Sequence, residues 1–338
     1  MINNNKIAVV IPCYKVRSHI LQVIETMPVW VDSIIVVDDC CPMQTGKFLE
    51  QNSSDKRLKI LYHKINQGVG GAVITGYRMA SDDGCDIVVK MDGDGQMDPM
   101  YLNRLLSPLV SGRSDYVKGN RFYHLDSLTK MPLLRRIGNI GLTLLTKISS
   151  GFWRISDPTN GYTAIHSSLL EIMSLDQLSR RYFFETSMLI QLNIIGATAV
   201  DIPMPARYGS EISSLRISKV LFQFPFLLIR GFFRRLIWKY FIYNVNATTA
   251  LLVMGSLLAV GGGGFGLYRW IIGTSHGQLQ TAGTVALALL PLIIGILMLL
   301  QAMLLDIMDR PDMPLHKLIS DQDIADTPSQ TNQHEKRD

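Results

Sequence analysis

Apolar and polar positions along this chain follow two textures. Up to about residue 215, short apolar runs alternate with charged and glycine-bearing stretches, whereas residues 245 to 305 are almost free of charge. In the first texture, Ile7-Ala8-Val9-Val10-Ile11-Pro12 is a β-branched run stopped by proline, the pattern of a buried parallel strand. Residues 17 to 27 follow a helical period, Ser33 to Val37 repeats the strand pattern and ends at Asp38-Asp39, and Leu58 to His63 predicts a third strand. A helix starts near Gly70 and runs through Met79. Asp86-Ile87-Val88-Val89-Lys90-Met91 then predicts a fourth strand that delivers Asp92 and Asp94 to its carboxyl end, where open α/β sheets place ligands. Asp115 to Lys118 and Thr198 to Ile202 read as later strands. Alternation at the spacing of βαβ units predicts an α/β fold: a mostly parallel, Rossmann-like sheet with helices on both faces.

The second texture predicts membrane-associated helices. Residues 216 to 243 read as one or two interfacial amphipathic helices interrupted at Pro225 and Gly231. Val245 to about Ile272 and Thr281 to about Met308 are each long enough to span a bilayer. The expected organisation is therefore a globular domain over 1–215, interfacial helices over 216–243, a two-helix hairpin over 244–309, and a tail over 310–338 whose polar end, from 320, is disordered. The linker between the spans has no Lys or Arg, while Lys239, Arg310 and Lys317 flank the outer ends, which by the positive-inside bias puts both termini in the cytosol. Gly261 to Gly264 reads as either a flexible kink or a close-packing face, the latter suited to a homo-oligomer.

Composition sharpens this picture in three places. The formal net charge of +5 is modest, and Arg216, Lys219, Arg230, Arg234, Arg235 and Lys239 are interleaved with Phe and Leu, which favours a membrane surface over nucleic acid. Cys13, Cys40, Cys41 and Cys85 show no metal-ligand spacing, in keeping with a reducing compartment. The N-terminus passes from Asn3-Asn4-Asn5-Lys6 straight into a strand without a secretory pattern. The expectation is a multi-pass protein of the inner, cytoplasmic membrane with its globular part in the cytosol.

Candidate chemistry centres on Asp92-Gly93-Asp94-Gly95-Gln96, two carboxylates two residues apart just beyond a strand. Mg²⁺ or Mn²⁺ is commonly shared between such carboxylates and substrate phosphates, so a diphosphate donor is the natural partner. A lone Asp-x-Asp is more often a solvated turn, but Asp38-Asp39 closes an earlier strand and Asn66-Gln67-Gly68-Val69-Gly70-Gly71-Ala72 forms a glycine-rich helix start, with Gly70 suited to close nucleotide approach.

In this order the segments resemble glycosyltransferase family 2, the inverting GT-A enzymes, and within it the polyprenyl-phosphate glycosyltransferases, over roughly residues 6 to 215. The two-helix anchor is similar to that of bacterial membrane-bound members. The resemblance implies that Pro12, Tyr14 and Asp39 hold base and ribose, that Asp92 and Asp94 bind the metal and donor diphosphate, and that Gln96 accompanies them. Cys40-Cys41-Pro42 replaces the family's small Gly-Ser stretch. Lys118-Gly119-Asn120-Arg121 matches a segment whose arginine faces the acceptor phosphate, with Arg135 or Arg136 as a second cation. Asp157-Pro158-Thr159-Asn160-Gly161-Tyr162 resembles the loop that supplies an acid near the acceptor, either a general base or, since a phosphate acceptor is already anionic, an orienting or metal-holding group. Glu185 would contact the donor sugar or cap its helix, and Arg207 and Ser213 would meet the diphosphate or belong to a structural linker. The implied partners are a nucleotide diphosphate sugar, uridine diphosphate favoured, and a polyprenyl phosphate such as undecaprenyl phosphate. A lipid-linked saccharide acceptor needs identical donor machinery. A processive polysaccharide synthase would carry Gln-x-x-Arg-Trp, whereas Phe152-Trp153-Arg154 reverses that order, and an inactive scaffold would have lost Asp92, Asp94 or Asp157.

Overall fold

Seven strands form one sheet in a computed structural model that describes residues 2, 4–123, 133–205 and 217–319, with the side chains of 133–137, 139 and 217–222 outside that description. The strands are β1 (Ile7–Cys13), β2 (Ser33–Asp38), β3 (Leu58–Tyr62), β4 (Ile87–Lys90), β5 (Tyr116–Asn120), β6 (Thr163–His166) and β7 (Ala199–Pro203), in the order β3-β2-β1-β4-β6-β5-β7. All neighbours are parallel except β6, which is antiparallel to both β4 and β5. The expected mostly parallel sheet is present. Strand β6 was not expected, because its four residues carry too short a pattern to register.

Period-two alternation sorts the strand residues between two cores. Ile7, Val9, Ile11, Ile34, Val36, Ile87 and Val89 face one core, with α1 (Ile20–Glu25) and α4 (Leu102–Val110). Ala8, Val10, Ile35, Val37 and Val88 face the other, with α3 (Val69–Asp82), α6 (Ser167–Ile172) and α7 (Phe184–Ile194). Helices α2 (Thr45–Asn52) and α5 (Leu133–Ser150) complete this part of the chain. The strand directions bring the carboxyl ends of β1, β2, β4, β5 and β7 and the amino end of β6 to one edge of the sheet.

By its internal contacts the chain divides into two compact units, Met1–Phe232 with Pro311–Asp338, and Phe233–Arg310. Helix α8 (Ile217–Ile237) is continuous, so the expected interruptions at Pro225 and Gly231 do not occur. Pro225 forgoes one backbone hydrogen bond without ending the helix. Gly231 is a packing position instead: a Cβ there would fall 2.5 Å from Ile190 Cδ1. A π-helical turn, Trp238–Tyr243, follows.

In the second unit, α9 (Ala247–Ser275) and α10 (Ala282–Met308) have mean hydropathies of 1.8 and 2.6 and are long and apolar enough to cross a membrane. Small residues let their backbones approach. A Cβ on Gly262 would lie 2.7 Å from Ala288 O, and one on Gly255 3.0 Å from Gly295 O. Of the glycine run, Gly262 thus packs inside the hairpin, while Gly261 and Gly264 have nothing within 4 Å. At the base of the hairpin, Arg235 is fully buried and its guanidinium donates to Asp306 at 2.6 and 2.8 Å. Tyr240 donates its hydroxyl to the same carboxylate at 2.6 Å, and Lys239 lies 3.0 Å from Asp309. Arg235 therefore belongs to an internal ion pair and not to the basic surface that its sequence neighbours suggested.

Removing one partner of such a pair strands a buried charge. Asp306→Ala is expected to destabilise the protein by about 3–5 kcal/mol, read as a lowered unfolding midpoint in detergent. Arg235→Met combined with Asp306→Leu is expected to recover most of that loss.

Candidate active site

The two carboxylates that end β2 have different tasks. Asp38 is buried and accepts the backbone N–H groups of Cys41 and Gly46, both at 2.7 Å, shaping the turn into α2. Cys41, in the stretch where Gly-Ser was expected, is part of that turn: its Sγ accepts Lys15 N–H at 3.1 Å and meets Thr45 Oγ1 at 3.2 Å. Asp39, also buried, accepts Gln67 N–H at 2.8 Å and Gly68 N–H at 2.7 Å, and its Oδ1 lies 2.7 Å from His63 Nδ1. This carboxylate organises the glycine loop. Gly68 needs its glycine for a φ of 88°. Gly70, read from the sequence as room for a nucleotide, is buried against the chain itself, since a Cβ there would collide with Ser179 O. Gly71 N–H donates to Arg180 O at 3.0 Å, tying the loop to the segment before α7.

Strand β4 ends in Lys90, whose side chain is buried. Its Nζ lies 2.9 Å from Asp92 Oδ1 and 3.0 Å from Glu185 Oε1, the latter in the first turn of α7. Burial works against the ammonium, and the coulombic pull of Asp92 and Glu185 overrides it, raising Lys90 above the ordinary lysine value. A Cβ on Gly161 would collide with Lys90 Nζ and lie 2.8 Å from Asp92 Oδ2, so glycine is required there for the pair to form. Asp94 Oδ1 accepts Gln96 N–H at 3.0 Å, which sets the turn.

A second buried lysine, Lys118 on β5, donates to Asn160 O. Asn160 Nδ2 donates to Gly119 O at 2.8 Å, pinning the loop before β6 to β5. Burial pushes Lys118 down to about 8, opposed by Glu185 and Asp157 and assisted by Lys90 and Arg121. Just past β5, Arg121 grips Asp157 through Nε at 2.7 Å and Nη2 at 3.1 Å, and its backbone N–H reaches the same carboxylate at 3.2 Å. Asp157 is fully buried, and Thr159 Oγ1 donates to it at 3.2 Å. This buried carboxylate, held on both oxygens, fixes the Arg121 guanidinium.

One cleft at this edge gathers Asp92, Asp94, Gln96, Arg121, Thr159, Asn160, Tyr162 and Met204. Pro12, Tyr14, Asp39, Gly70, Asp157 and Glu185 do not line it; Tyr14 is exposed just beyond β1. Arg207 and Ser213 lie outside the described residues, as do the side chains of Arg135 and Arg136 and the tail from 320. Lys90, Lys118 and the Thr159–Gly161 stretch are the additions to the expected set. A lysine closing an otherwise apolar strand was the available signal for Lys90, whereas Lys118 lies in Tyr-Val-Lys-Gly-Asn, which offers no such contrast.

Among the described residues no three His, Cys, Asp or Glu side chains converge as a metal group. Asp92 and Asp94 supply two oxygen-donor side chains on one turn facing the cleft, which fits a Mg²⁺ or Mn²⁺ ion completed by phosphate oxygens and water.

Residues 8–173 match the family described as glycosyl transferase family 2. Among curated proteins, the chain is 28% identical over 232 residues to UDP-N-acetylglucosamine–dolichyl-phosphate N-acetylglucosaminyltransferase of Methanococcus voltae, covering 64% of this chain and 92% of the relative. It is 30% identical over 173 residues to undecaprenyl-phosphate mannosyltransferase of Micrococcus luteus, covering 51% and 70%. Among solved structures, glucosyl-3-phosphoglycerate synthase from Mycobacterium tuberculosis, in complex with uridine diphosphate, superposes with a TM-score of 0.51 at 18% identity over 69% of this chain and 80% of that one. At that identity the likeness establishes the fold.

Lys90→Met leaves Asp92 and Glu185 without their counter-charge and is expected to cost about 3–5 kcal/mol, with Glu185→Gln added in the same chain restoring much of the thermal midpoint. Lys118 has a folded value of about 8 against an ordinary 10.5, so the unfolded chain binds the extra proton between those limits and stability rises with pH across that window. Urea midpoints measured across the window are expected to show a smaller rise in Lys118→Met than in the parent.

Proposed function

This chain belongs to glycosyl transferase family 2, and from that membership we propose that it moves a sugar from a nucleotide diphosphate sugar, a uridine diphosphate sugar by preference, to a polyprenyl phosphate at a membrane surface, inverting the anomeric carbon. The observation that carries the reading is the meeting, in one cleft, of the Asp92 and Asp94 carboxylates with the Arg121 guanidinium. Carboxylates on that turn suit a cation-bridged diphosphate, and an arginine fixed in place suits a second phosphate. The two relatives, a dolichyl-phosphate and an undecaprenyl-phosphate transferase, support the acceptor class.

In this reading Asp92 and Asp94 would hold Mg²⁺ or Mn²⁺, which would supply positive charge to offset the negative charge that develops on the leaving group. Lys90 keeps Asp92 and Glu185 in register. Arg121, oriented by Asp157, presents the acceptor phosphate. A phosphate oxygen then attacks the anomeric carbon from the face opposite the leaving group. The carbon–oxygen bond to the nucleoside diphosphate breaks, and its electron pair leaves with the diphosphate. The acceptor oxygen is anionic near neutral pH, so no protein base is needed, and Asp157 becomes a positioning residue. Pro12 and Tyr14 at the end of β1 would flank the nucleoside, with Asp39 acting through the loop it fixes.

Exposed apolar side chains on the first unit support contact with lipid: Ile140 and Leu144 on α5, and Phe226 and Ile229 on α8, with the exposed Arg230 beside them. The hairpin of α9 and α10 would cross the bilayer. Both of its flanks join the same compact unit, which supports placing both on the cytosolic side of the inner membrane.

The test is incubation of purified protein with undecaprenyl phosphate, Mg²⁺ or Mn²⁺ and a panel of nucleotide sugars, with the lipid product identified by mass. One sugar on one phosphate is expected, and Asp94→Asn is expected to lower the rate by roughly 10²-fold or more. Asp157→Asn is expected to raise KM for the lipid phosphate and leave the acidic limb of the pH–rate profile in place; loss of that limb would restore Asp157 as a base. A product bearing a second phosphate, or no lipid product with any donor, would overturn the reading.

A further inference from the structure

At the sheet edge opposite the cleft, Asp115 precedes β5 and is fully buried. Five donors converge on its carboxylate. Oδ2 accepts Thr198 N–H, Thr198 Oγ1–H and Leu315 N–H, each at 2.8 Å, while Oδ1 accepts His316 N–H at 2.8 Å and lies 2.7 Å from His316 Nδ1. The His316 ring stacks on that of His166 at the end of β6, with centroids 4.4 Å apart and planes 8° from parallel. A Cβ on Gly112 would collide with the Lys317 side chain, so that glycine makes room for the same segment. Burial alone would raise the Asp115 carboxyl, and the hydrogen bonds from His316, Thr198 and Leu315 hold it below the ordinary value. Burial, then His316, pushes His166 down to about 4, so the ring under His316 is neutral at physiological pH.

A carboxylate is not desolvated without compensation, and three of these five donors come from beyond the apolar hairpin. Leu315 and His316 are therefore built into the first unit, although the chain leaves that unit at Phe232 and returns only at Pro311. Between Arg310 and Leu315 lie Pro311, Asp312, Met313 and Pro314. Four residues reach at most about 14 Å when extended, and two of these are prolines with fixed φ.

We propose that Asp115 and His316 are positioning residues for transfer to a membrane-held acceptor, anchoring the chain that returns from the hairpin. Without the latch, the sheet unit has helix α8 as its one remaining connection to the hairpin. With the latch closed, it is held at both flanks of the hairpin, which restricts how far the cleft departs from the bilayer surface and raises the effective concentration of lipid phosphate there. None of the latch residues lines the cleft. The proposal rests on the lipid-phosphate reading above for its kinetic consequence and not for its mechanical one.

The test uses the full-length protein in vesicles with a protease site replacing the four residues from Pro311 to Pro314, compared uncut and cut. Spin labels on the sheet unit and in the turn between α9 and α10 report the distance distribution between the units. Cutting is expected to broaden that distribution and to raise KM for undecaprenyl phosphate about 10-fold, with kcat and KM for the nucleotide sugar within about 2-fold. His316→Ala, left uncut, is expected to shift both readouts in the same direction. An unchanged distribution after complete cleavage would overturn the proposal, as would an unchanged lipid KM alongside a broadened distribution. A parallel rise in KM for both substrates would also overturn it, since that marks damage to the fold. If the uncut protein transfers no sugar to a polyprenyl phosphate, the acceptor reading falls and the distance distribution alone decides whether the latch restrains the unit.

Discussion

A lysine carried into the middle of a sheet must find negative partners, and the site is arranged around that demand. Lys90 ends a strand of Ile and Val, has no access to water, and keeps its charge only between Asp92 and Glu185. The pairing fixes the turn that bears Asp92 and Asp94, and it also fixes the first turn of α7. The segment before α7 in turn receives the glycine loop through Arg180 O, and that loop is held from the other side by Asp39. Gly161 completes the arrangement by leaving the space that Lys90 Nζ occupies. One buried charge thus links the ends of β2 and β4, the loop before β6 and the start of α7.

These dependencies explain what was legible in the sequence. Strands β1, β2 and β4 announce themselves because each is a continuous apolar run buried on both faces, and the Asp92-Gly93-Asp94 turn is local. The partnerships that define the site join residues far apart in the chain, such as Lys90 with Glu185 and Arg121 with Asp157, and no local period records them. Glu185 read equally well as a helix cap. Gly70 shows the same limit: the sequence indicates that something must approach closely there, and the fold supplies Ser179 where a nucleotide was expected. Strand β6 escaped for a different reason, since its pairing with β4 and β5 creates it where propensity alone would not.

The apolar part of the chain was easier to delimit than to assemble. Length and hydropathy mark α9 and α10 plainly, yet their mutual packing depends on Gly255, Gly262 and Gly295 meeting backbone across the hairpin, a register that a glycine count does not give. The basic residues before the hairpin also divide. Arg230 is exposed, whereas Arg235 is sealed against Asp306 and Tyr240. A charge so close to an apolar segment is tolerated because its partner enters from the far end of α10 and satisfies it with bidentate geometry. Counting every basic residue in 216–243 as membrane-facing therefore overstates the electrostatic attraction to lipid.

The pairing of Arg121 with Asp157 bears most directly on mechanism. A guanidinium on a surface loop has many rotamers, and holding it for one anion costs conformational entropy at each encounter. A fully buried carboxylate that grips Nε and Nη2 removes that freedom before any ligand arrives. It also tempers the positive charge that Arg121 brings to the cleft, which in the proposed reaction would let a phosphate bind less tightly than an uncompensated cation would hold it. An acceptor that must leave as a phosphodiester benefits from that moderation. A sugar hydroxyl in the same place would instead require a base to take its proton, and the best-placed acid at that position is already committed to arginine. In the proposed reaction, the geometry of this one pair suits an acceptor that is an anion before it reacts.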